Sequence, residues 1–276
     1  MTPPSFDEIW PDVEPITLLN RYKAKLIHDL LLLSPPGGSA VECGIFRGGI
    51  TVMLAKLLHG SGRVTAYDSF QGLPAERSEV ETAHYGAGHM PHSEAALRET
   101  LRRHGVEAAV DVVPGWFCDT MRGRYQGPAR FVHVDCDVYF SVKTCLEYLY
   151  DGVADGGILV FDDYFDQGGG VEAAVNEHLA KTGEILHAGY GDQVYVVKSQ
   201  TWEKDHTKFQ EPVLETSHGV SVSAMVPWLD PEYLSDLRAG KITPELPGGS
   251  LDNAEKVAER LLFISQFHRQ VLDTRS

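Results

Sequence analysis

Positive charge is scarce in this chain: 24 Lys and Arg stand against 39 Asp and Glu among 276 residues, a net charge of −15. Such a balance repels phosphate backbones and anionic lipid surfaces, so binding to nucleic acid or membrane would need a local basic patch. The best candidates are Arg102-Arg103 and the scattered Arg122, Arg124 and Arg130, which read as a solvated face. Long apolar runs are missing too. Leu30 to Leu33 is short of the roughly 20 residues of a membrane helix. The four cysteines, Cys43, Cys118, Cys136 and Cys145, form no CxxC pair and read as reduced, buried side chains. The opening residues carry no basic n-region or small-residue cleavage site, so the expected location is the cytoplasm.

What is present is an ordinary globular composition, 43% hydrophobic and 23% charged, enough to bury a large core. Apolar positions at helical spacing from 16 to 33 predict a helix, which Ser34-Pro35-Pro36-Gly37-Gly38 stops. An alternation follows: strand Ala40 to Cys43, helix Ile50 to His59, strand Arg63 to Tyr67, helix Ser93 to His104, strands Ala109 to Val113 and Arg130 to Val134. Helix Ser141 to Tyr150, strand Ile158 to Phe161 and helix Val171 to Lys181 complete it. That order predicts an α/β fold with a mostly parallel sheet covered on both faces. Ile185 to Ala188 and Gln193 to Lys198 flank hairpin chemistry, which predicts an antiparallel strand near the sheet's end. Residues 1–36 thus form an N-terminal helical segment, 37–198 the sheet domain, and 199–276 a C-terminal extension ending in an apolar-faced helix from Leu251 to Leu272. The two terminal helices offer faces for intramolecular packing or for a homo-oligomer.

Between the first strand and its helix lies Glu42-Cys43-Gly44-Ile45-Phe46-Arg47-Gly48-Gly49. Ligands of open α/β sheets sit at the carboxyl ends of strands, where glycine lets them approach the backbone. The spacing is not the GxGxxG of dinucleotide binders, so no pyrophosphate cradle is indicated. The second strand ends in Asp68, followed by Ser69, at the distance expected of an acid that binds ribose hydroxyls. Together these favour an adenosine-type ligand without a pyrophosphate.

Two further strands end in acids: Asp135-Cys136-Asp137 and Asp162-Asp163. As sheet neighbours their ends would lie about 5 Å apart and gather the carboxylates around one point. Hard divalent cations take such oxygen donors. Helix capping by Asp137, Ser141 or Asp166 is the structural alternative, but one cap explains only one acid.

The run from Val41 to Lys198 resembles the class I, S-adenosylmethionine-dependent methyltransferases with their Rossmann-like fold. Within them it resembles the macrocin O-methyltransferase family (TylF/MycF/NovP-like), which is divalent-metal dependent and acts on sugar hydroxyls of natural products. The matching stretches are Glu42 to Gly49, Tyr67-Asp68-Ser69-Phe70-Gln71-Gly72-Leu73-Pro74, Gly115-Trp116-Phe117-Cys118-Asp119-Thr120, Val134-Asp135-Cys136-Asp137-Val138-Tyr139 and Asp162-Asp163-Tyr164. The resemblance implies that Glu42 and Gly44, with Phe46 and Gly48 of the same turn, contact the methionine part of the cofactor, and Asp68 and Ser69 the ribose. Gly115, Trp116 and Phe117 would line the adenine pocket. Asp135, which also borders the cofactor, would hold Mg²⁺ with Asp162 and Asp163, and Asp137 would act as general base. Cys136 stands where the family usually has glycine, and the stretch after Lys198 matches none of its motifs.

The implied chemistry explains the need for a metal. An alcohol gives up its proton near a pKa of roughly 16, an ordinary Asp near ~4. The gap of about 12 units is on the order of 16 kcal/mol, beyond the reach of Asp137 alone. A phenol, near ~10, needs only about half that help, so the site suits a sugar or alkyl hydroxyl or a catechol. Tyr85, Tyr139 and Tyr164 are candidates to touch the acceptor, and the loop holding His84, His89 and His92 reads as a lid. Two competing functions remain open: a metal-dependent glycosyltransferase using Asp135-Cys136-Asp137, which leaves the Glu42 turn unexplained, and a cofactor-binding protein without catalysis. The acid excess is concentrated, since residues 131–172 hold nine acids and one Lys. That local field attracts a divalent cation and a cationic sulfonium.

Overall fold

The structure is a computed structural model that describes residues 3–75, 78–81, 86–123, 125, 127–164, 168–184 and 186–198, together with the backbone of 213–215 and 221–223. The chain opens with helices α1 (Phe6–Val13) and α2 (Arg21–Leu33). α1 places Phe6, Ile9, Trp10 and Val13 on one buried face. α2 starts at Arg21 rather than at 16, because the Asn20 side chain accepts hydrogen bonds from the N–H groups of Tyr22 and Lys23 and caps the helix there.

The alternating part runs β1 (Ser39–Cys43), α3 (Gly49–Leu57), β2 (Val64–Asp68), α4 (Glu94–Arg103), β3 (Val110–Pro114), α5 (Phe117–Thr120), β4 (Ala129–Val134), α6 (Tyr139–Leu149), β5 (Val153–Phe161) and α7 (Val171–Thr182). β6 (Leu186–Ala188) and β7 (Val194–Val197) form the expected hairpin, and β8 (Val213–Glu215) and β9 (Ser221–Ser223) extend it. The strand order is β3-β2-β1-β4-β5-β7-β6-β9-β8. β1 to β5 are parallel, and β7 is antiparallel to both β5 and β6. The α/β, mostly parallel architecture is therefore as expected. Helix Leu251 to Leu272 and the rest of the extension lie outside the described residues, apart from the backbone of β8 and β9.

Period-two alternation in the strands separates two cores. Ala40, Ala66, Phe131, Val160 and Tyr195 pack under α1 to α4, whereas Val41, Tyr67, Val132, Leu159 and Val196 pack under α6 and α7. The N-terminal helices therefore share a core with the sheet. The chain reverses its progress across the sheet between β1 and β4, the position where open α/β sheets leave a crevice at the strands' carboxyl ends. Among the described residues, no helix is long and apolar enough to cross a membrane.

Candidate active site

At that crevice lies a cavity of about 710 Å³. Glu42, Gly44, Phe46, Asp68, Ser69, Trp116, Phe117, Asp135, Asp137 and Asp163 all line it, so most of the residues singled out from the sequence come together. Gly48, Gly115 and Asp162 do not. Gly48 is the left-handed N-cap of α3, packed on Leu97, and Gly115 holds the chain reversal after β3, where its N–H donates to the Asp68 carbonyl. Both glycines shape the turns that present the lining residues.

The cofactor end is built from backbone geometry. Gly44 has φ +86°, and a Cβ there would lie 1.7 Å from the carbonyl oxygen of Asp135. Only glycine lets the β1 turn pass this close to the end of β4. Asp68 ends β2 with Oδ2 accepting from the Ile45 N–H (2.8 Å) and Oδ1 from the Phe70 N–H (2.8 Å). A carboxylate offers about four lone-pair sites, so capacity remains for two vicinal hydroxyls. Replacing Asp68 by Asn would set an amide NH₂ against one of these N–H donors. We expect a loss of about 1–3 kcal/mol of stability, read by urea unfolding, and a weaker cofactor complex by calorimetry.

Five non-glycine residues have positive φ among those described: Phe46, Phe70, Met90, Asp137 and Asp163. All but Phe70 line the cavity. Strained backbone of this kind collects where side chains are aimed for function. Neither Asp137 nor Ser141 caps α6: the N-cap is Val138, without a side-chain cap, and Ser141 lies inside the helix. Asp166, the third capping candidate, lies outside the described residues.

β4 and β5 are neighbours in register, Val134 opposite Phe161. Asp135, Asp137 and Asp163 converge on one wall of the cavity. Burial, then the charges of neighbouring carboxylates, hold both Asp135 and Asp163 well above the ordinary carboxylate range. This is a set of hard oxygen donors whose negative charge is incompletely compensated, as a divalent-cation site requires.

Asp162 lies just behind the cavity lining. Strand alternation turns it to the α2 side of the sheet, on the same face as Val160 and His133. There His133 Nε2 meets its Oδ2 at 2.7 Å, Gln193 Nε2 donates to the same oxygen at 3.0 Å, and Lys23 Nζ lies 3.3 Å from Oδ1. Lys23 also pairs with Asp192. On the other side, His133 Nδ1 stands 3.8 Å from Glu42, which accepts from the Thr51 hydroxyl. Burial alone would push the His133 pKa down, but Asp162 and Glu42 hold it well above the usual value. Burial also raises Glu42, which His133 and Thr51 only partly offset. Asp162 titrates below the ordinary range despite its burial, because His133 and Lys23 stabilise its charge. His133, Asp135 and Asp162 offer ligand atoms within 4.8 Å of one another; His133 Nε2 engages Asp162 Oδ2, whereas Asp162 Oδ1 and His133 Nδ1 are buried without a hydrogen-bond partner.

The sequence reading missed Lys23, His133, Asp192, Gln193 and Thr51. A signal for them exists: Glu42 and His133 are polar residues at inward strand positions, Gln193 is a buried polar residue just before β7, and Lys23 interrupts the apolar stripe of α2. His92 also belongs to the site, edge-on to the Phe46 and Phe70 rings with Nε2 3.5 Å from Asp68. Two acceptor candidates are corrected. The Tyr139 hydroxyl donates to Glu177, and the Tyr164 hydroxyl donates to Asn176 in the core, both away from the cavity. Tyr85 and His84 lie outside the described residues. Cys118 is exposed rather than buried, because α5 presents it at the cavity's edge.

The family model for macrocin-O-methyltransferase (TylF) matches residues 29–185, more than half of the chain. The chain belongs to this family. It is 32% identical over 140 residues to the 8-demethyl-8-(2,3-dimethoxy-alpha-L-rhamnosyl)-tetracenomycin-C 4'-O-methyltransferase of Streptomyces olivaceus, covering 46% of this chain and 53% of that protein. Over 149 residues it is 29% identical to the demethyldecarbamoylnovobiocin O-methyltransferase of Streptomyces niveus, covering 50% and 56%. The chain thus spans about half the length of the curated relatives it matches. The solved structure of the O-methyltransferase NovP superposes with a TM-score of 0.58 at 25% identity, over 67% of this chain and 83% of NovP. Calicheamicin methyltransferase CalS11, at 19% identity and TM-score 0.51 over 72% and 78%, shares the fold. Family and fold agree on a Rossmann-like methyltransferase domain.

Proposed function

We propose that this protein is an S-adenosylmethionine-dependent O-methyltransferase that uses a divalent cation, Mg²⁺ or a similar ion, to methylate a hydroxyl of a small natural product or its precursor, a sugar hydroxyl above all. One observation carries the reading: a single cavity joins the ribose-type acid Asp68 to the acidic wall of Asp135, Asp137 and Asp163. Membership of the family disfavours the glycosyltransferase alternative, and the intact acidic wall disfavours a cofactor-binding protein without catalysis.

In the proposed complex Asp68 and Ser69 hold the ribose, Trp116 and Phe117 flank the adenine, and the Glu42–Gly44 turn faces the methionine end. The sulfonium methyl carbon then points toward the acidic wall. In the reaction the acceptor oxygen forms a bond to that carbon as the carbon–sulfur bond breaks, leaving a neutral thioether. The hydroxyl proton passes to the Asp137 carboxylate. Asp135, Asp162 and Asp163 are the residues that would hold a divalent cation, and when bound it would supply Lewis-acid stabilisation of the developing oxyanion. Leu18, Leu19 and Phe140 line the cavity with apolar surface, suited to the carbon skeleton of an acceptor. A small-molecule acceptor, no nucleic-acid or membrane partner, a cytoplasmic setting and a homo-oligomeric state complete the proposal.

The test supplies trideuteromethyl S-adenosylmethionine with a panel of glycosylated natural products. The label is expected on an acceptor hydroxyl, lost on exhaustive chelation and restored by Mg²⁺. Failure to bind S-adenosylmethionine in calorimetry, or full activity after chelation, would contradict it.

A further inference from the structure

The turn after β2 spends its hydrogen-bond donors on itself. The Ile45 and Phe70 N–H groups both serve the Asp68 carboxylate, at 2.8 Å each. The Ser69 hydroxyl donates to the Gly72 carbonyl and accepts from the Gln71 N–H, at 3.0 Å each, which leaves it a lone pair and no proton to give. A ribose hydroxyl placed there finds acceptors for its hydrogen but, among these groups, no donor for its oxygen. His92, in the segment that leads into α4, supplies the missing half. Its side chain is 12% exposed and lines the same cavity, and its Nε2 is buried without a hydrogen-bond partner, 3.5 Å from Asp68 Oδ2. That separation is too long for a good hydrogen bond between the two. It suits a hydroxyl oxygen about 2.8–2.9 Å from each, donating to the carboxylate and accepting from Nε2–H. The adjacent carboxylate favours the tautomer that carries its proton on Nε2. The imidazole is also held in place. Phe46 and Phe70 meet it edge-on, with ring centroids 6.2 and 5.0 Å away, and both rings come from residues at positive φ. The Leu73 N–H donates to the His89 carbonyl (3.0 Å) and the Gly88 N–H to the Leu73 carbonyl (2.8 Å), tying the chain before His92 to the turn after Asp68.

We infer that His92 is a cofactor-binding residue that shares one ribose hydroxyl with Asp68: the hydroxyl donates to the Asp68 carboxylate and accepts from His92 Nε2–H. This role rests on the S-adenosylmethionine reading above and deepens it. The pair makes the site selective for a ribose over a deoxyribose, because an analogue without the shared hydroxyl leaves a buried donor unpaired. It also gives the segment between β2 and α4 a direct hold on the cofactor, in addition to the strand-end acid.

Calorimetric titration of the full chain with S-adenosylhomocysteine and with its 2′-deoxy and 3′-deoxy ribose analogues, in wild type, His92→Phe and Asp68→Asn, tests this without measuring catalysis. His92→Phe keeps an aromatic ring beside Phe46 and Phe70 but has no ring nitrogen. It is expected to weaken S-adenosylhomocysteine binding about tenfold, the scale of one buried hydrogen bond left unmade. Against the analogue that lacks the shared hydroxyl, the same substitution should cost less than about twofold, since the interaction it removes is already gone. The inference is overturned if His92→Phe leaves S-adenosylhomocysteine binding unchanged. It is equally overturned if the penalty is the same for S-adenosylhomocysteine and both analogues, which a purely structural role predicts. Should His92→Phe not fold, His92→Leu carries the same comparison. Asp68→Asn separates the two levels. Binding that Asp68→Asn weakens and His92→Phe does not retains the cofactor reading and removes His92 from it, whereas no binding by the wild type overturns both.

Discussion

Asp135→Asn is expected to slow methyl transfer by about 10³-fold while making the metal-free protein more resistant to heat. The two effects have opposite signs for one physical reason. Asp135 sits at the end of β4, its N–H bonded to the Cys43 carbonyl at 2.8 Å, with Asp162 and Asp137 adding negative charge around it. Burial and these charges raise its pKa above that of the unfolded chain, so Asp135 supports the fold most below about pH 4, and this support is lost as pH rises toward neutrality. An amide of the same shape removes the repulsion. It also removes an anionic ligand from the proposed cation site, where loss of Lewis-acid stabilisation is worth several kcal/mol, or about 10³ in rate. Turnover of labelled S-adenosylmethionine and thermal unfolding in chelator measure the two halves. A variant that loses both activity and melting temperature would indicate a structural role for Asp135 instead.

Gly44→Ala is expected to be among the most damaging single methyl additions at the described residues. Its Cβ would meet the Asp135 carbonyl oxygen at 1.7 Å, and φ +86° is unfavourable for any residue with a Cβ. Left-handed backbone costs about 1–2 kcal/mol and overpacking about 1–3 kcal/mol or more. The contact is backbone against backbone, so no side-chain rotation relieves it, and a total of about 2–5 kcal/mol, toward the upper end, is expected in urea unfolding. Gly60 provides the control. It has φ +75° but open space around its Cβ position, so Gly60→Ala should cost only about 1–2 kcal/mol. Equal effects at the two positions would refute the close approach of β1 and β4 that forms the cavity floor.

Much of this was legible in the sequence because strands and their turns are local. The alternation of apolar runs locates β1 to β5, and acids at strand ends mark the cavity wall. Asp162 shows where local reasoning stops. Asp162 and Asp163 lie in the bend just after β5, and the partners that meet the Asp162 carboxylate are remote in sequence. Lys23 comes from α2, His133 from β4 and Gln193 from the turn before β7, all brought together only by the sheet order. Tyr139 and Tyr164 show the same limit: both flank motif acids, yet Glu177 and Asn176 of α7 claim their hydroxyls. Helix α1 was missed for a different reason. Its Phe6, Ile9, Trp10 and Val13 have helical spacing, but the prolines at positions 3, 4 and 11 obscure it, and Pro11 is accommodated inside the helix.

The central claim is that one cavity presents an adenosyl sulfonium to a cation-bearing acidic wall. A crystal structure of the protein grown with S-adenosylhomocysteine and Mn²⁺, with anomalous data collected for manganese, measures it directly. The account predicts the nucleoside ribose on Asp68 and an anomalous peak within about 2.0–2.6 Å of Asp135 and Asp163 oxygens. A ribose bound elsewhere, or a cavity without an anomalous peak at that wall, would contradict it.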